Sequence, residues 1–177
     1  VGAPETEGEV GVEGEYEVRL LRRDDYQKGI VPLLAQLTDV GELSEERFGE
    51  VFDEREAQAS VYRTCVAVHR ESSRLAATGT LVVEAKFVHG GSKVGHVEDI
   101  VVDSEHRRKG LARAVLDSLA EKAREAGCYK VILDCKDSNV GLYEKCGYRS
   151  CERQMRLDLL HDGPPSPSSR VKEAHTT

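Results

Sequence analysis

Tryptophan is absent from this chain, methionine occurs once, and aromatic residues make up only 5% of it. Charge takes their place, at 32% of residues, a composition that fits a soluble α/β protein. No apolar run is long enough to span a bilayer. The N-terminus is acidic where a secretory leader would be basic and then apolar, so neither a membrane anchor nor a secretory signal is legible. The chain opens on Val1 rather than Met, which leaves a removed targeting segment open.

Paired cysteines are missing too. Cys65, Cys128, Cys135, Cys146 and Cys151 are odd in number, stand in or beside apolar segments and never take C-x-x-C spacing, which points to the cytoplasm or another reducing intracellular compartment. Six histidines are scattered without a pair at helical ligand spacing, so no metal is expected. A formal net charge of −7 argues against nucleic acid, which needs a contiguous basic face. Two common phosphate loops are also absent: the chain has no G-x-x-x-x-G-K-[ST], and no G-x-G-x-x-G opens a helix. There is no internal repeat.

What is present centres on residues 94–126. Val97, Ile100, Val101 and Val102 read as a half-buried strand that stops at Asp103-Ser104-Glu105-His106. A helical period then places Leu111, Val115, Leu116, Leu119, Ala120 and Ala123 on one stripe. The junction between them is Arg107-Arg108-Lys109-Gly110-Leu111-Ala112. A helix N-terminus leaves N–H groups unpaired and carries the positive end of the macrodipole, so it can hold a phosphate or pyrophosphate. Gly110 and Ala112 lack bulk and permit close approach, while Arg107, Arg108, Lys109 and Arg113 concentrate positive charge on an acidic chain. A plain basic helix cap beside a strand is the competing reading.

The 177 residues suffice for one domain with a real core, expected over residues 16–160. Residues 1–15, Gly- and Glu-rich, read as a flexible acidic arm, and residues 161–177, Pro- and Ser-rich, as a disordered tail. A first strand is expected over residues 16–22. Asp24 caps a helix that runs on to Leu37 despite Pro32, and Ser44 caps a second. Residues 61–69 and 75–83 form a hairpin, followed by a loop with two glycines, 86–93. After the central strand and helix come a buried strand over 129–135, a short helix over 139–146 ended by Gly147, and a last strand over 148–159.

At these residues the sequence resembles a known family. The R-x-x-G-x-A junction after I-V-V is similar to the acetyl-coenzyme A pyrophosphate loop of the GNAT superfamily of N-acetyltransferases. H-V-E-D-I-V-V, the G-C-Y-K-V-I-L-D-C of residues 127–135 and the N-V-G-L-Y-E-K-C-G-Y of residues 139–148 resemble the eukaryotic glucosamine-6-phosphate N-acetyltransferases. The resemblance runs from about Tyr16 to Leu157. It implies the GNAT fold, an α/β (α+β) architecture with a central mixed, mostly antiparallel twisted sheet flanked by helices, in which the first two helices border the acceptor site.

The resemblance also implies roles. Acetyl-coenzyme A is the co-substrate, held by Ile100, Val101 and Val102 of the strand, by Arg107 to Arg113, and by Asn139 and Tyr143. A β-bulge near the middle of the central strand opens a cleft for the pantetheine arm. Glu98 and Asp99 bind the amino sugar, with Glu98 helping to deprotonate the 2-amino group, and Asp134 contacts or polarises that amine. Regular strand geometry would point Glu98 and Asp99 to opposite faces, so their cooperation depends on the bulge. Tyr143, with a reference pKa near 10 against about 8.5 for a thiol, stays protonated and able to donate to the departing sulfur.

For the sugar phosphate the match falls on Thr38, Lys86, His89, Tyr129 and Lys130. The family is homodimeric, with the acceptor site completed across the interface. Where the family commonly carries a phosphate-binding Arg this chain has Asp158, and Arg156, two residues earlier on the same strand face, is the substitute. Two other readings stay open: an N-acetyltransferase for proteins or polyamines, and a non-catalytic acyl-coenzyme A binding module. A Cys-based acyl-enzyme is disfavoured, because no cysteine has a His at a recognisable spacing.

Overall fold

The computed structural model describes residues 12–157 and residue 159. Five strands, β1 (Tyr16–Leu20), β2 (Tyr62–His69), β3 (Leu75–Ala85), β4 (Lys93–Val102) and β5 (Cys128–Leu133), form one sheet in sequence order. The first three pairings are antiparallel and β5 joins β4 in parallel. A parallel step needs a crossover, and helix α4 (Leu111–Glu125) supplies it.

Alternation along β2 shows how the sheet is clothed. Cys65 and Ala67 point to the face where Leu111, Val115, Leu116, Leu119 and Ala123 of α4 pack, each side chain contributing about 1.5–3 kcal/mol where it is large and fully buried. Val66 and Val68 point the other way, to Ile30 and Leu33 of α2 (Ile30–Leu34) and Phe48 of α3 (Glu45–Ala57). The expected apolar stripe is buried except for Ala120, which is half-buried. Ser44 caps α3 as its type predicts, its Oγ accepting from the Arg47 N–H at 3.1 Å.

The first helical region departs from expectation. Instead of one helix capped by Asp24, a 3-10 turn (Arg23–Tyr26) is broken from α2 by Gly29 at φ +95°. The neighbour, Asp25, does the work. Fully buried, it accepts the Arg22 N–H at 2.7 Å and a two-pronged Arg19 guanidinium at 2.7 Å on each oxygen. Pro32 does not kink α2, because the helix starts only at Ile30 and the proline falls in its first turn, where N–H groups have no helical partner.

Two strand expectations also change. Tyr129 and Ile132 are 45% and 36% exposed, since among the described residues β5 has a neighbour on one side only and is an edge rather than a buried strand. The last strand, expected over 148–159, is not formed among the described residues. Its alternating apolar side chains Met155, Leu157 and Leu159 are about four-fifths exposed or more, and a strand exists only through a ladder, which the described residues do not supply.

The acidic arm lies outside the described residues up to residue 11. Its last residues, Val12–Glu15, form a helical turn, α1, that runs into β1. The tail from residue 161 and Asp158 also lie outside the described residues.

Candidate active site

The middle of β4 is bulged. Thr78 pairs with Val101 and Thr80 with Glu98, so Asp99 and Ile100 together face Gly79 alone. Asp99 takes the extra turn at φ +54°, a conformation that Asp tolerates better than most side chains. The bulge implied by the resemblance is thus in the ladder, and it removes the strict opposition of Glu98 and Asp99.

A second irregularity lies alongside. Pairing of β4 with β5 runs from Lys93 and Cys128 to Val97 and Leu133 and stops there, while β4 continues to Val102. The strands part where Glu98 and Asp134 stand. Burial raises the Glu98 carboxyl above its ordinary range, the like charges of Asp99 and Asp134 raise it further, and His96 pulls it back in part. A carboxylate with added proton affinity suits a general base.

Helix α5 (Val140–Lys145) follows β5 in the chain. Tyr143 on α5 is 9% exposed and shares a core with Leu111 and Val115, which ties α5 to α4. Burial, then Cys135 and Cys146, hold its phenol above the ordinary range, so it is protonated at neutral pH. Tyr148 lies 6.0 Å away, edge on to Tyr143, its own phenol pushed up to about 12 by burial first. Asn139 stands at the N-cap position of α5 without a side-chain capping bond and is exposed.

The basic junction has an anion-binding form. Asp103 caps the turn Ser104–His106 by accepting the Glu105 N–H at 2.9 Å, and Gln36 bonds both Asp103 and the Ser104 N–H, fixing the loop to the chain just after α2. Arg107 Nε donates to the Val102 carbonyl at 3.4 Å. Arg108 and Gly110 both take positive φ, +62° and +80°, turning the chain into α4 with a glycine N-cap and no capping side chain. The first-turn N–H groups are left for a ligand, which fits a pyrophosphate. Arg113 is directed to the Lys145 carbonyl at 3.0 Å and Lys109 to Glu15 at 2.7 Å.

Of the acceptor candidates, His89, Tyr129 and Lys130 come together: the His89 and Tyr129 rings are 4.7 Å apart, and Lys130 Nζ is 5.7 Å from the same Tyr129 ring. Lys86 begins the loop and bonds Glu84 at 2.6 Å. Thr38 is exposed in the turn after α2, and Arg156 lies in the exposed segment that follows Gly147.

Residues 30–148 match the Acetyltransferase (GNAT) family. The chain belongs to the GNAT family. As a GNAT enzyme it is an acyltransferase of an acetyl-coenzyme A-using kind, and its fold is the one expected from the sequence. The glucosamine 6-phosphate N-acetyltransferase of Arabidopsis thaliana is 40% identical over 140 residues, covering 79% of this chain and 94% of the plant enzyme. That of Trypanosoma brucei brucei is 40% identical over 145 residues, covering 82% and 97%. The crystal structure of the Arabidopsis enzyme superposes with a TM-score of 0.80 at 39% identity, over 81% of this chain and 98% of that one.

The sequence reading of this GNAT site missed several residues. Glu84, His96, Glu15, Tyr16 and His106 all contact candidate residues or their neighbours; of these only His96 stands in a quoted motif, as the first residue of H-V-E-D-I-V-V. Tyr16 is 2% exposed, its hydroxyl 2.7 Å from His106 Nδ1. Alternation alone places His96 on the face of Glu98, two residues away, and was the one available signal.

Proposed function

We propose that this GNAT enzyme transfers the acetyl group of acetyl-coenzyme A to the 2-amino group of D-glucosamine 6-phosphate. The product is N-acetylglucosamine 6-phosphate, on the route to UDP-N-acetylglucosamine, formed by direct attack in a ternary complex. The observation that carries this reading is the convergence of Glu98, Asp99 and Asp134 where β4 and β5 part. Two relatives at 40% identity bear the name of that activity.

Each residue has a task. Acetyl-coenzyme A supplies the acetyl thioester. The α4 N-terminus and the Arg107 to Arg113 loop hold the pyrophosphate, and Ile100 to Val102 line the arm that follows it. Glu98 takes the proton that the amine must lose, with Asp134 orienting the amine. The Tyr143 phenol donates a hydrogen bond to the sulfur as charge develops on it. Lys86, His89 and Lys130 offer cationic or hydrogen-bonding groups to the sugar phosphate, and Arg156 takes the place of the family Arg.

The working unit in this reading is a homodimer. The unpaired outer edge of β5, with Tyr129 and Ile132 on it, and the exposed Met155, Leu157 and Leu159 make a surface that a second copy would cover. Five free cysteines suit a reducing compartment such as the cytoplasm.

The test is coenzyme A release with glucosamine 6-phosphate, unphosphorylated glucosamine and a lysine peptide as acceptors. A strong preference for the sugar phosphate is expected, lost in large part in Tyr143→Phe. Turnover of the peptide alone would overturn the substrate assignment. Light scattering is expected to give twice the chain mass, and a fully active monomer would remove the dimer.

A further inference from the structure

Glu84 belongs to no motif, yet both of its oxygens are engaged. Oε1 accepts from Lys86 Nζ at 2.6 Å, and Oε2 lies 2.9 Å from His96 Nε2. The strand ladders explain why these three meet. Glu84 pairs with Val94, and Val82 with His96, so Glu84 and His96 are diagonal neighbours on one face of the sheet. Glu98 is on that same face by period, two residues beyond His96. Across the next ladder His96 pairs with Ile132 and Val94 with Lys130. The row Lys86, Glu84, His96, Glu98 therefore runs from the glycine-rich loop to the candidate base.

The chemistry of the contact fixes its polarity. Lys86, then His96, hold the Glu84 carboxyl below its ordinary range, so it is ionised and can only accept. Nε2 of His96 must carry the proton it donates, and the carboxylate is pinned from the sheet side by a ring on a strand. Lys86 sits just past the end of β3, at the start of a loop with Gly90 and Gly91 at positive φ. A lysine there would lose much rotamer freedom on reaching for a phosphate. Its ammonium has three protons. One goes to Glu84, leaving two for phosphate oxygens.

We propose that Glu84 is a positioning residue that sets the enzyme's preference for a phosphorylated acceptor, holding the Lys86 ammonium in place from an anchor on His96. The inference rests on the proposed function, since it takes Lys86 to meet the sugar phosphate. Neutralisation of Lys86 by Glu84 is the opposing effect, and it predicts the opposite sign.

Steady-state kinetics on the full-length enzyme decide between them. In Glu84→Gln the KM for glucosamine 6-phosphate is expected to rise about tenfold with kcat within about twofold, the size of one lost charge-assisted contact. The ratio of kcat/KM for glucosamine 6-phosphate to that for glucosamine falls by the same factor. A merely structural role would lower both acceptors alike and leave the ratio unmoved. The double variant with Lys86→Met should lose no more than Lys86→Met alone, and His96→Gln should move the ratio in the same direction by less. A lowered KM in Glu84→Gln, an unchanged ratio, or losses that multiply in the double variant would each overturn the inference. Wild-type enzyme that ignores glucosamine 6-phosphate would instead overturn the proposed function, and this inference with it.

Discussion

Ile100 Cδ1 fills the space that a side chain on Gly79 would need. Val115 Cγ1 and Leu119 Cδ1 stand 3.0 and 3.1 Å from the same point, so the residue opposite the bulge is held to glycine by three side chains on two elements. This contact registers the bulge against α4. Gly79→Ala is expected to destabilise the protein by about 1–3 kcal/mol, the usual cost of overpacking a core, and to raise the KM for acetyl-coenzyme A as the bulge shifts. Urea unfolding and initial rates check both. Ile100→Val in the same chain should restore part of the stability, because the obstructing atom is the far end of that side chain; no restoration would mean that α4 sets the limit.

Asp25 makes the largest stability prediction. Desolvation alone would raise its carboxyl, yet the Arg19 guanidinium, the Arg22 N–H and Lys28 outweigh burial and hold it below the ordinary range. Asp25→Asn leaves Arg19 facing an uncharged amide and should cost about 3–5 kcal/mol, as for a broken buried pair. The pH dependence follows from the sign. A depressed folded pKa contributes stability that is complete above the unfolded value near 3.9 and is lost as pH falls through the folded one. Wild-type stability should therefore drop steeply below about pH 4, and the variant should show a shallower drop in the same window.

Much of this arrangement is legible in the residues. The α4 stripe, the Ser44 cap, the β2–β3 hairpin and the glycine N-cap at the basic loop all follow from local period and turn chemistry, which tertiary contacts reinforce rather than oppose. The misses have a different cause. By type Asp24 and Asp25 are interchangeable, yet Asp25 sits inside the 3-10 turn, accepting the Arg22 N–H, and the Arg19 side chain arriving from β1 helps to single it out. The alternation of residues 148–159 is a strand pattern without a ladder among the described residues, a fact no local rule contains. Glu84 and His96 are far apart in sequence and meet through register alone.

Glu15 reaches Lys109 from the turn before β1, and Val12 Cγ2 lies 3.4 Å from where a Cβ on Gly110 would sit, so the chain's early segment lies against the candidate pyrophosphate loop. An internal carboxylate on Lys109 competes with a phosphate for the same ammonium. Glu15→Gln is expected to leave the melting temperature unchanged, since both side chains are 42% exposed, and to tighten coenzyme A binding several-fold at low salt. The gain should vanish near 1 M salt, where the Debye length is about 3 Å. Calorimetric titration at two ionic strengths measures it, and weaker binding in the variant would make Glu15 a support of the loop instead of a competitor.

Glu98 ties the electrostatics to the rate. Asp99 and Asp134 add like charge beside it, and this keeps its proton affinity high. A base must be ionised to act, so kcat/KM for the amine should fall on the acid side as Glu98 takes up its proton. Removing a neighbouring negative charge lowers that pKa, and Asp99→Asn should carry the acid limb to lower pH. Asparagine also tolerates the φ of +54° at this position, so the bulge persists and the comparison reports charge rather than backbone. Asp134→Asn should move the limb in the same direction by a smaller amount, following the order of the two interactions. An acid limb that stays in place in both variants would assign it to another group, such as the amine of the substrate, and would take the role of base away from Glu98.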